Sequence, residues 1–520
     1  MVSPNHFNSI GMNKKWIRRL LLGVFYLLIL CLFIVVISRL LAYANQGADR
    51  GKLLHVALPE YTVMPDIHVK DDGNEGSEIT SFMMEQIKTD YVHARDAQSR
   101  ARATNNTTYL QDHFTDEVVA KWEEHFVENA KKNIYEQSTS LAHNIDVTFF
   151  SLDESVVSFT DQDVIEHHQL YQDEELISSW VDTSDYQVIC VLEDSRWRIR
   201  QIKKIETQQP KTTLTKQISP TVLGSLVGIN YYPAQSPWNL LDTAISDEVY
   251  IDDMATLREL GCNSIRIFLQ YEDLGKEQVS QAKVRRLLHF LDIAHNADLS
   301  VIITLFDFYG DYSGRDWRAT SQHLRTLIPA IQSHPALLAY DLKNEPDLDF
   351  ESRGEAVVAD WLSYHIDVIR SIDPNHTITI GWSNPNDATL LVDQVDFVSY
   401  HYYHEPSEFS QKHQALSAQT DKPIILTEFG KTSYRGVWNP IQYSQKKQAR
   451  YYADMLQDLQ DLNLSSFSWT LHDFHEVPIS VVGRRPWRRA YQRHYGLIDM
   501  DGNPKPAFNI ISQSSQGSAE

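Results

Sequence analysis

The stretch Leu337-Leu-Ala-Tyr-Asp-Leu-Lys-Asn-Glu-Pro346 places Glu345 directly after an apolar run that has the length of a strand. The segment Pro423-Ile-Ile-Leu-Thr-Glu428 repeats this arrangement later in the chain. Runs that are apolar on both faces are typical of the buried parallel strands of an α/β fold. In a (β/α)₈ barrel the ends of such strands meet at one face, where catalytic residues lie. A carboxylate pair at such a face is what cleavage of a glycosidic bond requires.

Apolar runs and helical stretches alternate through residues 221–512. Eight strands with intervening helices over this length predict a TIM barrel, so the fold class of this part of the chain is α/β. The predicted strands are Leu226–Tyr232, Ser264–Leu269, Val301–Phe306, Leu338–Leu342, Thr377–Trp382, Phe397–Tyr400, Ile424–Thr427 and Ser466–Thr470, and the clearest helical stretches are Asp247–Leu260 and Val279–Ala297.

Composition sets limits on the rest of the chain. At 520 residues the chain is too long for one compact core, so more than one domain is expected. The net charge of −22 argues against a general nucleic-acid partner, because no broad basic surface is available to neutralise phosphates. Three cysteines do not imply a disulfide framework.

The N-terminal segment, residues 1–45, predicts a transmembrane signal anchor. Leu20–Ile37 is a run of eighteen residues without a charge, and it follows four basic residues between positions 14 and 19. The basic flank predicts a cytoplasmic N-terminus, a single pass through the cell membrane and an extracytoplasmic C-terminal catalytic domain. The alternative is a signal peptide cleaved after Ala44. The long apolar run and the interrupting Arg39 favour the anchor, with the lipid bilayer as its partner.

Residues 76–206 predict a smaller α+β domain between polar linkers at 46–75 and 207–220. Its predicted elements are helices from Ser77 to Ala103 and from Glu117 to Asn133, followed by strands at Ile145–Phe150, Glu154–Thr160, Gln187–Leu192 and Trp197–Ile202. This order, closed by a hairpin at 186–202, resembles the ketosteroid-isomerase-like cone fold. The resemblance implies a pocket or a dimerisation surface in this domain. His167 and His168 are interpreted as exposed strand residues, and the domain is assigned no chemistry.

Six short motifs stand at the predicted strand ends in the order of the strands. They are Gly228-Ile-Asn-Tyr-Tyr232, Asn263-Ser-Ile-Arg-Ile267, Asn344-Glu-Pro346, Ser399-Tyr-His-Tyr-Tyr403, Thr427-Glu-Phe-Gly430 and Phe467-Ser-Trp469, at the first, second, fourth, sixth, seventh and eighth strands. Each motif is weak alone, but the ordered set is specific. Over roughly residues 224–511 it resembles the retaining glycoside hydrolases with catalytic glutamates on strands four and seven, and glycoside hydrolase family 5, the cellulase and mannanase type, most closely.

The resemblance implies catalytic roles for both glutamates. Glu345 would be the general acid and base, and Glu428 the nucleophile that forms a covalent glycosyl-enzyme. Because the acid must first be protonated, surroundings that raise the pKa of Glu345 are expected. Arg266 is expected to keep Glu428 ionised through a bidentate contact. Tyr403 is expected to hydrogen-bond the nucleophile.

Three further residues match substrate-binding positions of this family. Asn344 would bind the sugar 2-hydroxyl, His401 would line the site, and Trp469 would form the floor under the sugar. No metal-ligand spacing or nucleotide fingerprint is found, and the reaction needs neither a metal nor a cofactor. Other aromatic residues near predicted strand ends suit sugar stacking and ordinary packing equally; they are Tyr232, Trp238, Trp317, Trp382 and Trp438.

Two features depart from the family pattern. Asp307 stands at the end of the third predicted strand, where family members often carry histidine. Residues 484–493 hold five arginines on a strongly acidic chain. These arginines predict either contacts with an anionic polysaccharide or lipid headgroup, or pairing with nearby acids.

The sequence thus predicts a membrane-anchored retaining β-glycosidase that acts within chains of a β-linked polysaccharide or oligosaccharide. Hydrolysis and transglycosylation share the same intermediate and both remain open, as do the sugar and the linkage. One alternative is a catalytically silent glycan-binding component of an envelope polysaccharide complex. Another makes the cone domain the functional centre, as a small-molecule pocket or a dimerisation device. Fold alone does not settle these choices.

Overall fold

The computed structural model describes residues 63–208, 226–439, 441, 443–482 and 485–517, together with residues 23, 25–30, 32–34, 36 and 37. The described part of the predicted anchor is helical and exposed. Among the residues described, no helix meets the length and hydropathy that a membrane span requires. The rest of the predicted anchor, the cleavage position and most of both linkers lie outside the described residues.

The N-terminal unit contains two helices followed by four long strands. Thr80 caps the first helix by accepting a hydrogen bond from the amide of Met83, and Asn105 ends it in the left-handed conformation. The elements are β1 (Asp66–Lys70), α1 (Ser81–Thr104), α2 (Asp116–Lys131), β2 (Ile134–Phe150), β3 (Val156–Gln172), β4 (Glu175–Glu193) and β5 (Arg196–Gln208).

The sheet of this unit has the order β1-β2-β3-β4-β5, with β1 parallel to β2 and the other pairs antiparallel. Strands β2 to β5 are 13 to 19 residues long and extend well beyond the predicted runs. Tyr91, Phe126, Phe159 and Trp197 meet in a core between the helices and the sheet. Both predicted helices are confirmed, whereas the cone fold itself stays a prediction.

The predicted (β/α)₈ barrel is confirmed, since eight parallel strands close into a ring. The strands are β6 (Val227–Asn230), β7 (Ser264–Gln270), β8 (Ser300–Asp307), β9 (Leu337–Asn344), β10 (Thr377–Trp382), β11 (Val398–Tyr402), β12 (Ile424–Phe429) and β13 (Ser466–Trp469). Longer helices are α3 (Asp247–Glu259), α4 (Gln281–Asn296), α5 (Gly314–Ile331), α6 (Glu355–Ile372), α7 (Phe409–Ser417), α8 (Gln445–Asp461) and α9 (Pro506–Gly517), and short ones span Phe350–Arg353, Ile479–Val482 and Pro486–Gln492.

Burial along the barrel strands explains why the strands appear as continuous apolar runs in the sequence. Strands β7, β8 and β9 bury nearly every residue, because helices cover their outer face and side chains fill the interior. The polar exceptions, among them Arg266 and Asp341, are completely buried and face the barrel interior. These exceptions build the candidate active site.

The N-terminal unit packs against helix α5 on the side of the barrel. Arg318 of α5 donates from Nη2 to Oδ1 of Asp96 at 2.8 Å and from Nε to the carbonyl of Ser140 at 2.8 Å. His167 of β3 stacks on Trp317 of α5, with ring centroids 3.9 Å apart. Removing one partner from a buried ion pair costs about 3–5 kcal/mol. The contact therefore fixes the two units against each other.

This contact corrects two interpretations from the sequence. His167 and His168 are buried, at 1% and 6% exposure, so the interpretation of exposed strand residues is wrong. Burial lowers the pKa of His167 to about 3, and the ring that stacks on Trp317 is neutral. Trp317 lies on α5 and is fully buried. Of the two roles considered for it, sugar stacking and ordinary packing, the structure supports packing.

Candidate active site

The carboxyl ends of the barrel strands bring Glu345 and Glu428 together. Glu345 directly follows β9, the fourth barrel strand, and Glu428 lies in β12, the seventh. One carboxylate oxygen of each glutamate and one ring nitrogen of His401 all lie within 4.8 Å of one another. The Glu428 side chain is almost fully buried, whereas the Glu345 side chain is 27% exposed. The site therefore has one enclosed carboxylate and one that solvent can reach.

A buried guanidinium, that of Arg266 on β7, organises the floor of the site. Its Nε and Nη2 both donate to Oδ2 of Asp341, at 2.9 and 2.5 Å. Nη2 also donates to Oδ1 of Asn344 at 2.9 Å, and Nη1 donates to Oδ1 of Asn230 at 3.0 Å and to Oε1 of Glu428 at 2.7 Å. Burial alone would lower the pKa of Arg266, but the two carboxylates raise it above its usual value, so the group stays charged.

Glu428 receives one hydrogen bond on each carboxylate oxygen. Arg266 donates to Oε1, and the hydroxyl of Tyr403 donates to Oε2 at 2.6 Å. Nδ1 of His401 lies 3.6 Å from Oε2. The predicted bidentate contact between Arg266 and Glu428 is wrong. Nε and Nη2 of the guanidinium both donate to Asp341, and only Nη1 donates to Glu428. Burial and the Glu428 charge raise the pKa of Tyr403 well above 10, which keeps its hydroxyl a donor.

Glu345 has surroundings that differ from the sequence expectation. Burial alone would raise the pKa of Glu345, but a 2.9 Å hydrogen bond to Nδ1 of His401 and the charges of His401, Arg266 and Lys343 lower it. The expected raised pKa of Glu345 is therefore wrong. The pKa is lowered because the hydrogen bond from His401 stabilises the ionised form of the Glu345 carboxyl group.

The backbone of Glu345 adopts the left-handed region, at φ 48° and ψ 51°. Its amide donates to the carbonyl of Gly381 on β10 at 2.7 Å, which anchors this uncommon conformation to the neighbouring strand. The amide of Gly381 in turn donates to Oδ1 of Asp341 at 2.8 Å. A Cβ atom at position 381 would lie 2.7 Å from Nη2 of Arg266, so only glycine fits this close approach.

The remaining predicted substrate-binding residues also lie at this face. Asn344 ends β9, and its Nδ2 makes no hydrogen bond to any residue that the structure describes, which leaves this donor for a ligand. Trp469 ends β13 and packs within a cluster formed with Tyr232, Trp238 and Phe268. Its indole N–H is buried without a hydrogen-bond partner in the described part of the chain.

Asp307 lies at the end of β8, where the sequence marked a departure from the family. Its Oδ2 accepts a hydrogen bond from the hydroxyl of Tyr232 at 2.9 Å, and its Oδ1 is buried without a partner among the described residues. Burial raises the pKa of Asp307 to about 7. The residue is thus a polar group of variable charge within electrostatic reach of Arg266 and Glu428.

The arginine-rich segment 484–493 partly forms a short helix at Pro486–Gln492. Trp487 of this helix and Trp438 from the loop after β12 are both exposed, with ring centroids 5.9 Å apart. Arg493 donates from Nε to the carbonyl of Phe474 at 3.2 Å. Of the outer aromatic residues, Trp438 is half exposed, whereas Tyr232, Trp238 and Trp382 are buried.

Two contributors to the site, Asp341 and Asn230, were not assigned roles from the sequence. Both stand inside motifs that the sequence marked, but only barrel closure shows that each lies beside Arg266. Glu345, His401 and Glu428 also form a group that could ligate a metal ion. Arg266 and Tyr403 already satisfy Glu428, and this arrangement fits carboxylate chemistry without a metal.

Gly381→Ala should displace Arg266 and strongly lower activity, because the new methyl group would occupy space held by Nη2. We expect kcat/KM to fall by about 10²-fold or more, since small displacements of positioning groups have effects of that size. Gly310→Ala is the matched control, because its Cβ meets no atom within 4 Å. Equal kcat/KM values for the two variants would contradict this role of Gly381.

Comparison with known proteins finds a family model and several relatives that match part of the chain. Cellulase (glycosyl hydrolase family 5) matches residues 238–475. Mannan endo-1,4-beta-mannosidase A from Podospora anserina is 25% identical over 196 residues, which cover 29% of this chain and 52% of the relative. A beta-glucuronidase from Streptococcus agalactiae is 23% identical over 218 residues, which cover 38% of this chain and 33% of the relative.

Among solved structures, an exo-beta-1,4-mannosidase from Opitutaceae bacterium strain TAV5 is 17% identical with a TM-score of 0.47, covering 56% of this chain and 59% of that chain. This chain spans about half or less of the length of the curated relatives named above. The sequence matches support a retaining glycosidase with a TIM barrel like that of glycoside hydrolase family 5.

Proposed function

We propose that this protein cleaves a β-linked polysaccharide by a double displacement, with Glu428 as nucleophile and Glu345 as general acid and base. The observation that carries the proposal is that one oxygen of each carboxylate lies within 4.8 Å of the other. Retaining glycosidases hold their carboxyl groups about 5–5.5 Å apart, whereas inverting enzymes need about 6.5–9.5 Å to admit a water molecule. The separation favours a covalent glycosyl-enzyme.

Glu428 suits the nucleophile because two donors orient its carboxylate. Arg266 and Tyr403 each bind a different oxygen of the carboxylate. When one oxygen attacks the anomeric carbon, the carboxylate becomes a neutral glycosyl ester. The Tyr403 hydroxyl can then keep its hydrogen bond, since a neutral donor can bind an oxygen of either the carboxylate or the ester.

Glu345 suits the second step directly, because an ionised carboxylate activates water as a base. The first step needs a proton on Glu345, although the hydrogen bond to His401 lowers the pKa of this group. A bound sugar would exclude water from Glu345, and desolvation disfavours the charged carboxylate. Substrate binding would thereby shift Glu345 toward the protonated form that protonates the leaving oxygen.

We propose β-1,4-linked mannan as the first candidate substrate. The enzyme would cleave bonds within the mannan chain. Support comes from the mannan endo-1,4-beta-mannosidase relative and from Asn344 beside Glu345, where a sugar 2-hydroxyl would lie. An anionic polysaccharide is the second candidate, because Arg485 and Arg488 are exposed and Arg485 lies 5.9 Å from the ring of exposed Trp487.

The role test compares Glu428→Gln and Glu345→Gln on β-1,4-mannan and on an aryl β-mannoside with an acidic leaving group. Both variants should lose mannan activity, Glu345→Gln by about 10²–10⁴-fold. Only Glu345→Gln should still release the aryl group in a rapid first turnover, because that group leaves without protonation; later turnovers should be slow, because the glycosyl-enzyme still needs the base. Glu408→Gln, an exposed glutamate near the same face, is the control. Full mannan activity in Glu428→Gln would contradict the assignment.

His401→Phe should move the alkaline limb of the pH dependence of kcat/KM to higher pH. The reaction needs protonated Glu345, so activity falls as pH rises through the pKa of this group. Removing the hydrogen bond and charge of His401, which lower that pKa, would raise it. The control is His404→Gln, an exposed histidine just after β11. An unshifted alkaline limb would show that His401 does not set the Glu345 pKa.

We also propose that Leu20–Ile37 anchors the protein in the cell membrane, with the barrel outside the cytoplasm. The uncharged run and its basic flank carry this proposal. Deleting residues 1–45 should move the activity from the membrane fraction to the soluble fraction and leave kcat/KM unchanged. Activity that stays in the same fraction after the deletion would contradict anchoring by this segment.

A further inference from the structure

A second cluster of charged side chains lines a cavity in the N-terminal unit, to which the sequence assigned no chemistry. The cavity has a volume of about 360 Å³ and lies between helices α1 and α2 and strands β2 to β5. Small-molecule sites in proteins begin at about 300 Å³. The cavity is thus large enough for a ligand of one or two rings.

Three cations share two carboxylates in this cavity. Glu136 accepts hydrogen bonds from Arg102 at 2.9 Å and from His168 at 2.7 Å. Asp182 accepts from Lys204 at 3.0 Å and lies 3.4 Å from Nε2 of His168. Burial alone would lower the pKa of His168, but its hydrogen bonds to Asp182 and Glu136 raise it to about 9. The five side chains therefore carry one positive charge in excess.

A separate buried pair does not change this balance. Arg95 donates to Oε1 of Glu166 at 2.5 Å, and the hydroxyl of Tyr186 donates to Oε2 at 2.5 Å. Burial alone would raise the pKa of Glu166, but the charge of Arg95 and its neighbours lower it to about 2. The pair is neutral as a whole, so the surplus charge belongs to the other five side chains.

Aromatic rings form the walls of the cavity. Trp122 lies under the guanidinium of Arg102 at 5.2 Å, and Trp180 stacks on His168 with centroids 5.1 Å apart. Tyr186 lies under Arg95 at 4.5 Å. Flat aromatic faces beside hydrogen-bonding groups suit a ring that is apolar on its face and polar at its edge, as a pyranose is.

Gln98 adds a neutral polar group to the lining of the cavity. Its side chain lines the cavity at 5% exposure, and its amide makes no hydrogen bond to any residue within the described ranges. The amide nitrogen and oxygen are open to the cavity, so they can pair with a bound molecule. A carboxamide can donate and accept, which is what a sugar hydroxyl requires of its partner.

A metal ion fits this cavity less well. Glu166, His168 and Asp182 lie close enough to share a cation. However, Arg95 and Lys204 already hold the two carboxylates, and a protonated His168 offers no lone pair. The surplus positive charge also opposes a second cation.

We propose that this cavity binds a saccharide ring that carries a carboxylate, that is, a uronic acid unit. The carboxylate would complete the charge balance with Arg102, His168 and Lys204, and the ring would lie against Trp122 or Trp180. Gln98 would bind a hydroxyl group. The proposal does not need the barrel to be a hydrolase, because recognition here rests on residues of the N-terminal unit alone.

The test uses isothermal titration of the full chain with methyl β-D-glucuronide and methyl β-D-glucoside, which differ at C6 alone. We expect the glucuronide to bind about tenfold or more tightly, since hydrogen bonds to a charged group are the stronger ones. Binding is measured as heat, so an inactive barrel leaves the result intact. Equal affinities, or binding of neither sugar, would overturn the proposal.

Lys204→Gln locates the binding site, because it removes the surplus charge. Its preference for the glucuronide should fall about tenfold while its melting temperature stays close to that of the unchanged chain. Lys203→Gln, an exposed neighbour on the same strand that does not line the cavity, should keep the preference. An undiminished preference in Lys204→Gln would place the site elsewhere and overturn the proposal. Benzoate binding as tightly as the glucuronide would overturn its saccharide part.

Discussion

The guanidinium of Arg266 directs its donors to side chains from three other strands of the barrel. Asn230 comes from the first strand, Asp341 and Asn344 come from the fourth, and Glu428 comes from the seventh. All of these contacts lie where water is excluded, so each hydrogen bond is electrostatically stronger than it would be at the surface. Because the partners come from opposite sides of the ring, they meet only when the barrel has closed. Barrel closure and assembly of the candidate site are therefore one event.

The same network explains the different states of the two glutamates. Glu428 lies inside the network and is bound at both oxygens, whereas Glu345 stands at its edge and meets His401. A partly exposed carboxylate beside an imidazole can exchange protons with solvent, and an enclosed one beside a guanidinium cannot do so easily. Burial and partners, rather than residue type, separate the role of a proton carrier from that of a nucleophile.

Most of the barrel could be predicted from the sequence, because buried parallel strands are apolar on both faces. The predicted site residues Arg266, Tyr403 and His401 also meet the glutamates. The two hydrogen bonds from Arg266 to Asp341 could not be predicted. The hydrophobic pattern of a strand does not show which of two nearby carboxylates a buried arginine binds. The raised pKa expected for Glu345 failed for a similar reason, because burial and a specific hydrogen bond act in opposite directions.

The N-terminal unit was harder to read, since polar residues such as Glu136, His167 and His168 interrupt the alternation of its strands. Strand β3 has two working faces: His168 points into the cavity, and the preceding His167 stacks on the barrel. A shift of register by one residue would exchange these faces. The ligand cavity and the attachment to the barrel are thus encoded at adjacent positions of one strand. A one-residue insertion or deletion in β3 would therefore disturb both features together.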